Sequence, residues 1–308
     1  MNGKEDVANV ACEKGRTDFM RTMNHKIIEE ILAIALWSCL VTIFFFLFFK
    51  YGYISFEQND DMFISTIPSG IYGQHYIYTC HSNILQGFFL SGLSKLFPIC
   101  NWTIMLYIAY IYISYLGIGV WAVKTKGGLI GSCLVALFFL VTYESLLHNM
   151  NFSKTSGVLM SVGVVIFTHY TKKIFEKKSI IFLLISGSMI FAGSLVRRDS
   201  IIAFMPFLLI LIIATTLQCN SKVIRVTKNV LPWLVLILFI ITAWIVDSMA
   251  YRVNDRWRDY KEFNGVRINL DDYGMLDYET YQEIYAGIGW DSTDVRLLST
   301  WHSADSEV

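Results

Sequence analysis

The sequence predicts an all-α integral membrane protein: a bundle of about seven transmembrane helices, an interfacial helix in the first exterior loop and a small exterior C-terminal segment. Hydrophobic residues make up 55% of the 308 residues and charged residues only 16%. This is more apolar material than a soluble chain of that length buries in a core. The apolar residues also form blocks long enough to cross about 30 Å of hydrocarbon at about 1.5 Å per residue.

Each apolar block is predicted to be a helix, because a backbone in lipid must satisfy its hydrogen bonds within its own segment. The alternation of a membrane barrel strand is absent from the blocks. They cover residues 31–49, 102–123, 129–143, 155–170, 180–196, 201–217 and 230–246. The charged stretch before Ile27 has no secretory cleavage pattern, so the first block is expected to be an uncleaved anchor.

The distribution of Lys and Arg predicts a cytoplasmic N-terminus. With that orientation, fourteen basic residues fall in cytoplasmic segments and five in the short exterior loops, as the positive-inside rule requires. Residues 1–26 are then a cytoplasmic segment and residues 27–249 a transmembrane domain whose first exterior loop covers 50–101. Residues 250–308 form an exterior polar segment with twelve acidic and six basic residues.

Residues 84–97 are apolar but too short to span a bilayer. A span there would also move the lysine-rich loops that follow it to the outside, against the positive-inside rule. We therefore predict that this segment is a helix lying in the interface. The same loop holds Cys80 and Cys100, which can either pair in an oxidising compartment or stay as two thiols.

Polar side chains gather in the exterior loops, and the pair Asp60 and Asp61 follows the first span closely. One carboxylate of such a pair can accept a proton from a hydroxyl while the other binds a divalent cation. The alternative is that both are ordinary solvated residues flanking a helix. Asp247, at the end of the last span, is expected to face the bundle or water rather than lipid.

Arg197 and Arg198 lie in a predicted exterior loop, on the side of the membrane where basic residues are rare. A guanidinium there can grip a phosphate through paired hydrogen bonds, or it can extend to lipid headgroups. His75, His81 and His148 stand in the aromatic-rich exterior loops. Each can act as a base or ligand, although a structural role is the commoner one for a lone histidine.

Three features together resemble the GT-C superfamily of polytopic membrane glycosyltransferases. They are the first helix with its N-terminus inside, the interfacial helix in the first exterior loop, and the acidic pair of that long loop, Asp60 and Asp61 in Gln58-Asn59-Asp60-Asp61. The resemblance covers roughly residues 27–250. It implies transfer of a sugar from a polyprenyl-phosphate-linked donor to an envelope or lipid acceptor at the outer face of the cell membrane. Its implied partners are the bilayer and that donor, with no nucleic acid.

The resemblance also implies roles for individual residues. Asp60 or Asp61 would be the catalytic base or a metal ligand, so a divalent cation can belong to that pair. Arg197 and Arg198 would hold the donor phosphate, with Lys154 as a weaker candidate. A carboxylate and a cation on one face suit this reaction, because the acceptor hydroxyl loses a proton while the leaving phosphate gains charge.

Two features of the sequence depart from the family pattern. The predicted spans are fewer than is usual, and a polar tail follows the last one, so we expect either a truncated family member or an incomplete gene product. A transporter or flippase-like protein of polysaccharide assembly is the rival class, and a non-catalytic membrane subunit is the third. Transporters typically have intramembrane charges and broken helices, whereas these spans are nearly free of charge and only Pro206 lies inside one.

Overall fold

The computed structural model describes residues 3–57, 59–126, 128–171, 177–217 and 224–299, and it is helical almost throughout. The elements are α1 (Gly3–Tyr51), β1 (Ser55–Phe56), α2 (Asn59–Ser69), α3 (Ile84–Leu96), α4 (Trp102–Lys126), α5 (Gly128–Leu147), β2 (Asn149–Met150), α6 (Phe152–Thr171), α7 (Lys177–Val196), α8 (Arg198–Leu217), α9 (Ile224–Val253), α10 (Asp255–Tyr273), α11 (Gln282–Gly287) and α12 (Ser292–Ser299). The chain forms two compact units, Met1–Val246 and Asp247–Val308.

Among the described residues, five helices are long and apolar enough to cross a membrane, as a multi-pass membrane protein requires. They are Ile27–Tyr51, Trp102–Lys126, Leu129–Leu147, Ser179–Val196 and Val230–Val253. Each coincides with a predicted span. The other two predicted spans, 155–170 and 201–217, lie in α6 and α8, and their crossing of the membrane stays a prediction. Several side chains of α8 fall outside the described residues.

The first unit is held together by two apolar clusters. One joins α1, α4 and α5 around Trp37 and Tyr115, and the other joins α6, α7 and α9 around Phe167 and Trp233. The indole of Trp37 donates to the carbonyl of Tyr115 at 3.1 Å. It passes directly over Gly119, where an added Cβ would overlap the ring. Glycine at this position is therefore required by close helix packing.

Helices α6 and α7 pack through small and hydroxylated residues. Ser156 donates to the carbonyl of Gly193 at 2.8 Å, and a Cβ at Gly163 would lie 3.0 Å from the carbonyl oxygen of Ser186. Small residues let membrane helices approach closely, with hydroxyl groups bonding across the interface. This packing buries much of α6, which explains why that helix needs a less uniformly apolar surface than its neighbours.

The segments between α1 and α4 position the polar residues of the first loop. A two-residue parallel ladder joins β1 to β2, pairing Ser55 with Asn149 and Phe56 with Met150. This brings the start of α2 beside the start of α6. The helix α1 begins at Gly3, so it continues into the segment predicted as cytoplasmic. Cys100 is a free, exposed thiol, and no disulfide joins it to Cys80.

Helix α3 buries several polar residues, together with Ile84 and Leu90, and exposes several large apolar side chains. Its buried positions include Gln86, Gly87 and Ser91, whereas the side chains of Phe88 and Phe89 are 69% and 51% exposed. Asn83 caps the helix by accepting from the N–H of Leu85 at 3.0 Å, which satisfies a donor at the helix start. This arrangement suits a helix with lipid on its outer side.

The second unit contains α10, α11 and α12 and a small aromatic cluster. Tyr285 is buried and stacks against Tyr278 and Trp290, and its hydroxyl donates to the carbonyl of Leu276 at 2.6 Å. Asp247 accepts from Lys261 at 3.2 Å. Its carboxylate thus has a cationic partner, Lys261.

Candidate functional site

Asp61 is fully buried and joins α2 to α6. Its Oδ1 atom accepts a hydrogen bond of 2.7 Å from the N–H of Phe152. Asn151 serves the same helix end, because its Oδ1 accepts from Ser153 at 2.7 Å and from Lys154 at 3.4 Å. The first amides of a helix lack intrahelical partners. Here protein side chains supply them, so this helix end is not an open anion site.

Asp60 has different surroundings, although it is the next residue on the same first turn of α2. Its Oδ1 lies 3.6 Å from Nε2 of His81, and both side chains are 15% exposed. The His81 ring also lies against the Phe152 ring, with 5.9 Å between centroids. Of the two adjacent carboxylates, the one on Asp60 therefore reaches the surface and an imidazole.

The turn that carries His81 has an unusual backbone. Cys80 is the sole described non-glycine residue with a positive φ, at 57°, a region that costs an L-residue roughly 1–2 kcal/mol. The N–H of His81 donates to the carbonyl of Thr79 at 2.6 Å, which closes a three-residue turn around Cys80. The Thr79 hydroxyl in turn donates to the carbonyl of Ser82 at 3.2 Å.

The chain after this turn is anchored to two membrane-type helices. The N–H of Asn83 donates to the carbonyl of Leu195 at 2.8 Å, and its side-chain amide donates to the carbonyl of Ala243 at 3.0 Å. Asn83 is buried, so its bonds are protected from competition with water. They fix the first loop to α7 and α9 within the first unit.

Arg197 completes the group of residues around Phe152. Its guanidinium carbon lies 4.9 Å from the centre of the Phe152 ring, and one of its terminal nitrogens donates to the Ser153 hydroxyl. The side chain is half-buried. Within the described ranges, no carboxylate lies at ion-pair distance from Arg197. A partly desolvated guanidinium of this kind can bind an anion in two-point fashion.

The remaining predicted phosphate ligands lie apart from this group. Arg198 is exposed, and its guanidinium lies over the Trp244 ring at 5.0 Å. Lys154 donates to Glu57 at 2.8 Å in a partly exposed ion pair. Of the three predicted phosphate ligands, Arg197 thus contacts the same Phe152 as Asp61 does. Arg198 packs against α9, and Lys154 forms an ion pair.

The other histidines of the exterior loops have structural contacts. His148 shares a hydrogen bond of 3.0 Å with the carbonyl of Tyr53 and packs against Phe48, with 5.1 Å between ring centroids. His75 shares one of 2.9 Å with the carbonyl of Pro68. Neither contact involves the residues around Phe152, so His81 is the one predicted histidine that this group includes among the described residues.

A buried polar layer lies beneath the site and was missed by sequence reasoning. The hydroxyl of Tyr107 lies close to the side chains of Asp61, Ser82 and Gln86. The polar side-chain atoms of Tyr107, Gln86 and Ser82 are buried, and none of them makes a hydrogen bond of normal geometry with the described part of the chain. Gln86 could have indicated this layer in the sequence, because an amide in an otherwise apolar short helix is costly to bury without polar neighbours.

The acidic pair does not form a metal site in this arrangement. The carboxylate of Asp61 is directed to the Phe152 amide and that of Asp60 to His81. Over the residues that the structure describes, no three His, Cys, Asp or Glu side chains are placed to hold one ion. The residues therefore do not fit a divalent cation held by both carboxylates.

Comparisons with protein-family models, with curated proteins and with solved structures find no match to this chain. A function can therefore be inferred only from the residues and their geometry.

Proposed function

We propose that this chain is a membrane glycosyltransferase of the GT-C kind, which transfers a sugar from a polyprenyl-phosphate donor to an acceptor at the outer face of the cell membrane. The observation that carries the proposal is that Asp61, His81 and Arg197 all contact Phe152, while Asp60 lies 3.6 Å from His81. Sugar transfer from a phosphate needs a proton acceptor and a cation near one another. This group supplies both, from segments far apart in the chain.

Arg197 is the proposed ligand of the donor phosphate. Its guanidinium is held by Ser153 and Phe152, which fixes its plane while leaving further N–H donors. As the bond to the sugar breaks, the phosphate gains negative charge. A positioned guanidinium stabilises that charge best when water is partly excluded, and Arg197 is half-buried.

The proposed membrane arrangement follows from the same residues. In it α6 and α8 complete seven spans, the N-terminus is cytoplasmic, and α3 lies in the interface with Phe88 and Phe89 in the lipid. The exposed side chains of Phe88 and Phe89 on α3 support this, since an apolar outer surface is suited to acyl chains. A polyprenyl chain would approach through that lipid and deliver its phosphate at the membrane surface.

The proposal is tested by binding and transfer with the purified protein in detergent. A panel of short-chain polyprenyl-phosphate hexoses serves as donor. Arg197→Lys keeps the charge but loses the planar two-point grip. We expect roughly tenfold weaker binding, the loss of a hydrogen bond to a charged group worth about 1.5 kcal/mol. Arg198→Lys, the same change one residue on, is the matched control and should bind like the wild type.

Each contrary result has its own meaning. Equal binding by the wild type and both lysine variants would remove Arg197 from the phosphate site. Tight binding without transfer to any hydroxyl acceptor would instead favour a flippase-like or non-catalytic protein of polysaccharide assembly. Absence of binding to every donor of the panel would contradict the proposed function itself.

A further inference from the structure

The adjacent residues Asp60 and Asp61 cannot exchange roles in this fold. Asp61 is fully buried, and its Oδ1 accepts a hydrogen bond from the Phe152 amide. Asp60 is partly exposed and has Oδ1 3.6 Å from Nε2 of His81. A substrate hydroxyl at the protein surface can therefore approach the pair formed by Asp60 and His81.

A carboxylate beside an imidazole prepares that ring to take a proton. It fixes the ring orientation and stabilises the imidazolium that forms, while the imidazole itself accepts the proton. Here the carboxylate of Asp60 lies 3.6 Å from Nε2 of His81, so it can stabilise the positive charge of a protonated His81 ring. Asp61 on α2 and Arg197 at the end of α7 are charged groups that contact Phe152, the residue against which the His81 ring lies.

The backbone that presents His81 is strained and held in place. Cys80, directly before it, has a positive φ, and such a conformation persists only where its surroundings over-determine it. The bond from His81 to Thr79 and the two bonds from Asn83 to α7 and α9 do so. A turn fixed on both sides delivers the imidazole to one position beside Asp60.

We infer that His81 is the proton acceptor of the transfer reaction, with Asp60 as its positioning residue and Asp61 as the structural cap of α6. This inference rests on the proposed function. The acceptor O–H bond breaks and its proton passes to the imidazole of His81, while the oxygen forms a bond to the anomeric carbon. The bond from that carbon to the phosphate oxygen breaks, and its electron pair stays on the polyprenyl phosphate beside Arg197.

The test is chemical rescue of His81→Ala in the full-length protein. Loss of a general base should lower kcat by about 10²- to 10⁴-fold, while the affinity for a non-transferable donor analogue stays within about twofold. Added imidazole should restore a substantial part of the rate, because it replaces the removed ring. A merely structural histidine would not give this combination of retained binding and imidazole dependence.

Two further variants separate the roles of the neighbours. Asp60→Asn should lower kcat with little change in KM and should not respond to imidazole, because the His81 ring is still present; Asp60→Glu should recover part of the rate. His75→Ala is the matched histidine control, since His75 lies in the same loop and bonds to the Pro68 carbonyl. Its transfer rate should show no imidazole dependence.

The outcomes distinguish this inference from the proposed function. If the wild type binds and transfers while His81→Ala transfers normally, or loses transfer without imidazole rescue, His81 is not the proton acceptor and the glycosyltransferase proposal stands. If the wild type neither binds nor transfers from any donor, the proposed function fails and the inference about His81 fails with it.

Discussion

The carboxylate of Asp61 accepts a hydrogen bond of 2.7 Å from the N–H of Phe152, across 91 positions of the chain. Both residues are buried. This bond ties the first loop to the start of α6, and His81 and Arg197 then contact the ring of the same Phe152. A structural bond thus sets the position of the residue around which the proposed chemistry is arranged.

Removing the acceptor at Asp61 should therefore destabilise the protein. Asp61→Leu leaves the buried N–H of Phe152 without this acceptor, which typically costs about 1–3 kcal/mol. Asp61→Asn keeps a side-chain oxygen and should cost less. The free energy of unfolding in mixed detergent measures both. Asp60→Leu is the control at the neighbouring, partly exposed position, and a loss for Asp60→Leu as large as that for Asp61→Leu would contradict the cap role.

Two glycines of α3 should respond oppositely to alanine. A Cβ at Gly87 would overlap the backbone carbonyl of Ile77, whereas Gly92 has no atom within 4 Å of its added Cβ. Gly92→Ala should stabilise the helix by up to about 1 kcal/mol, since alanine favours helix. Gly87→Ala should lower the melting temperature and displace the turn at residues 79–82. Equal melting temperatures for the two variants would show that α3 does not pack against Ile77.

The predicted topology can be read from thiol labelling. Cys100 is exposed in the predicted exterior loop, so a membrane-impermeant maleimide should label it in intact cells and should label Cys100→Ser much less. A cysteine introduced at the exposed residue Lys126 in that variant should react only after the membrane is opened, because this loop is predicted to be cytoplasmic. Labelling of the introduced cysteine in intact cells would contradict the predicted topology and place this loop outside.

Hydropathy was sufficient to predict a helical chain with several segments that can cross a membrane. Five helices that can span a membrane coincide with predicted blocks, because the bilayer fixes both the length and the composition of such segments. The acidic pair and Arg197 were also identifiable in sequence, since each breaks the pattern of its surroundings. Their meeting around Phe152 depends on the packing of α2, α6 and α7, which no local pattern encodes.

The distinct surroundings of Asp60 and Asp61 could not be predicted. Adjacent helix residues differ by about 100° in direction, so one can be buried while the next reaches the surface, and a sequence gives no means of telling which. The same limit applies to Tyr107 and Gln86. Both lie in apolar stretches, and only the tertiary contacts show that their polar atoms are buried close together and that Tyr107 lies near Asp61.

The hydroxyl and glycine contacts between α6 and α7 bear on how this protein is made. Ser156 bonds to the Gly193 carbonyl, a partner that the ribosome adds 37 residues later. In the proposed topology, α6 alone would expose such groups to hydrocarbon as it leaves the translocon, at a cost in insertion free energy. We therefore expect the two segments to partition into the bilayer together as a helical hairpin. Helix α6 would then remain at the lateral gate of the translocon until α7 has been synthesised.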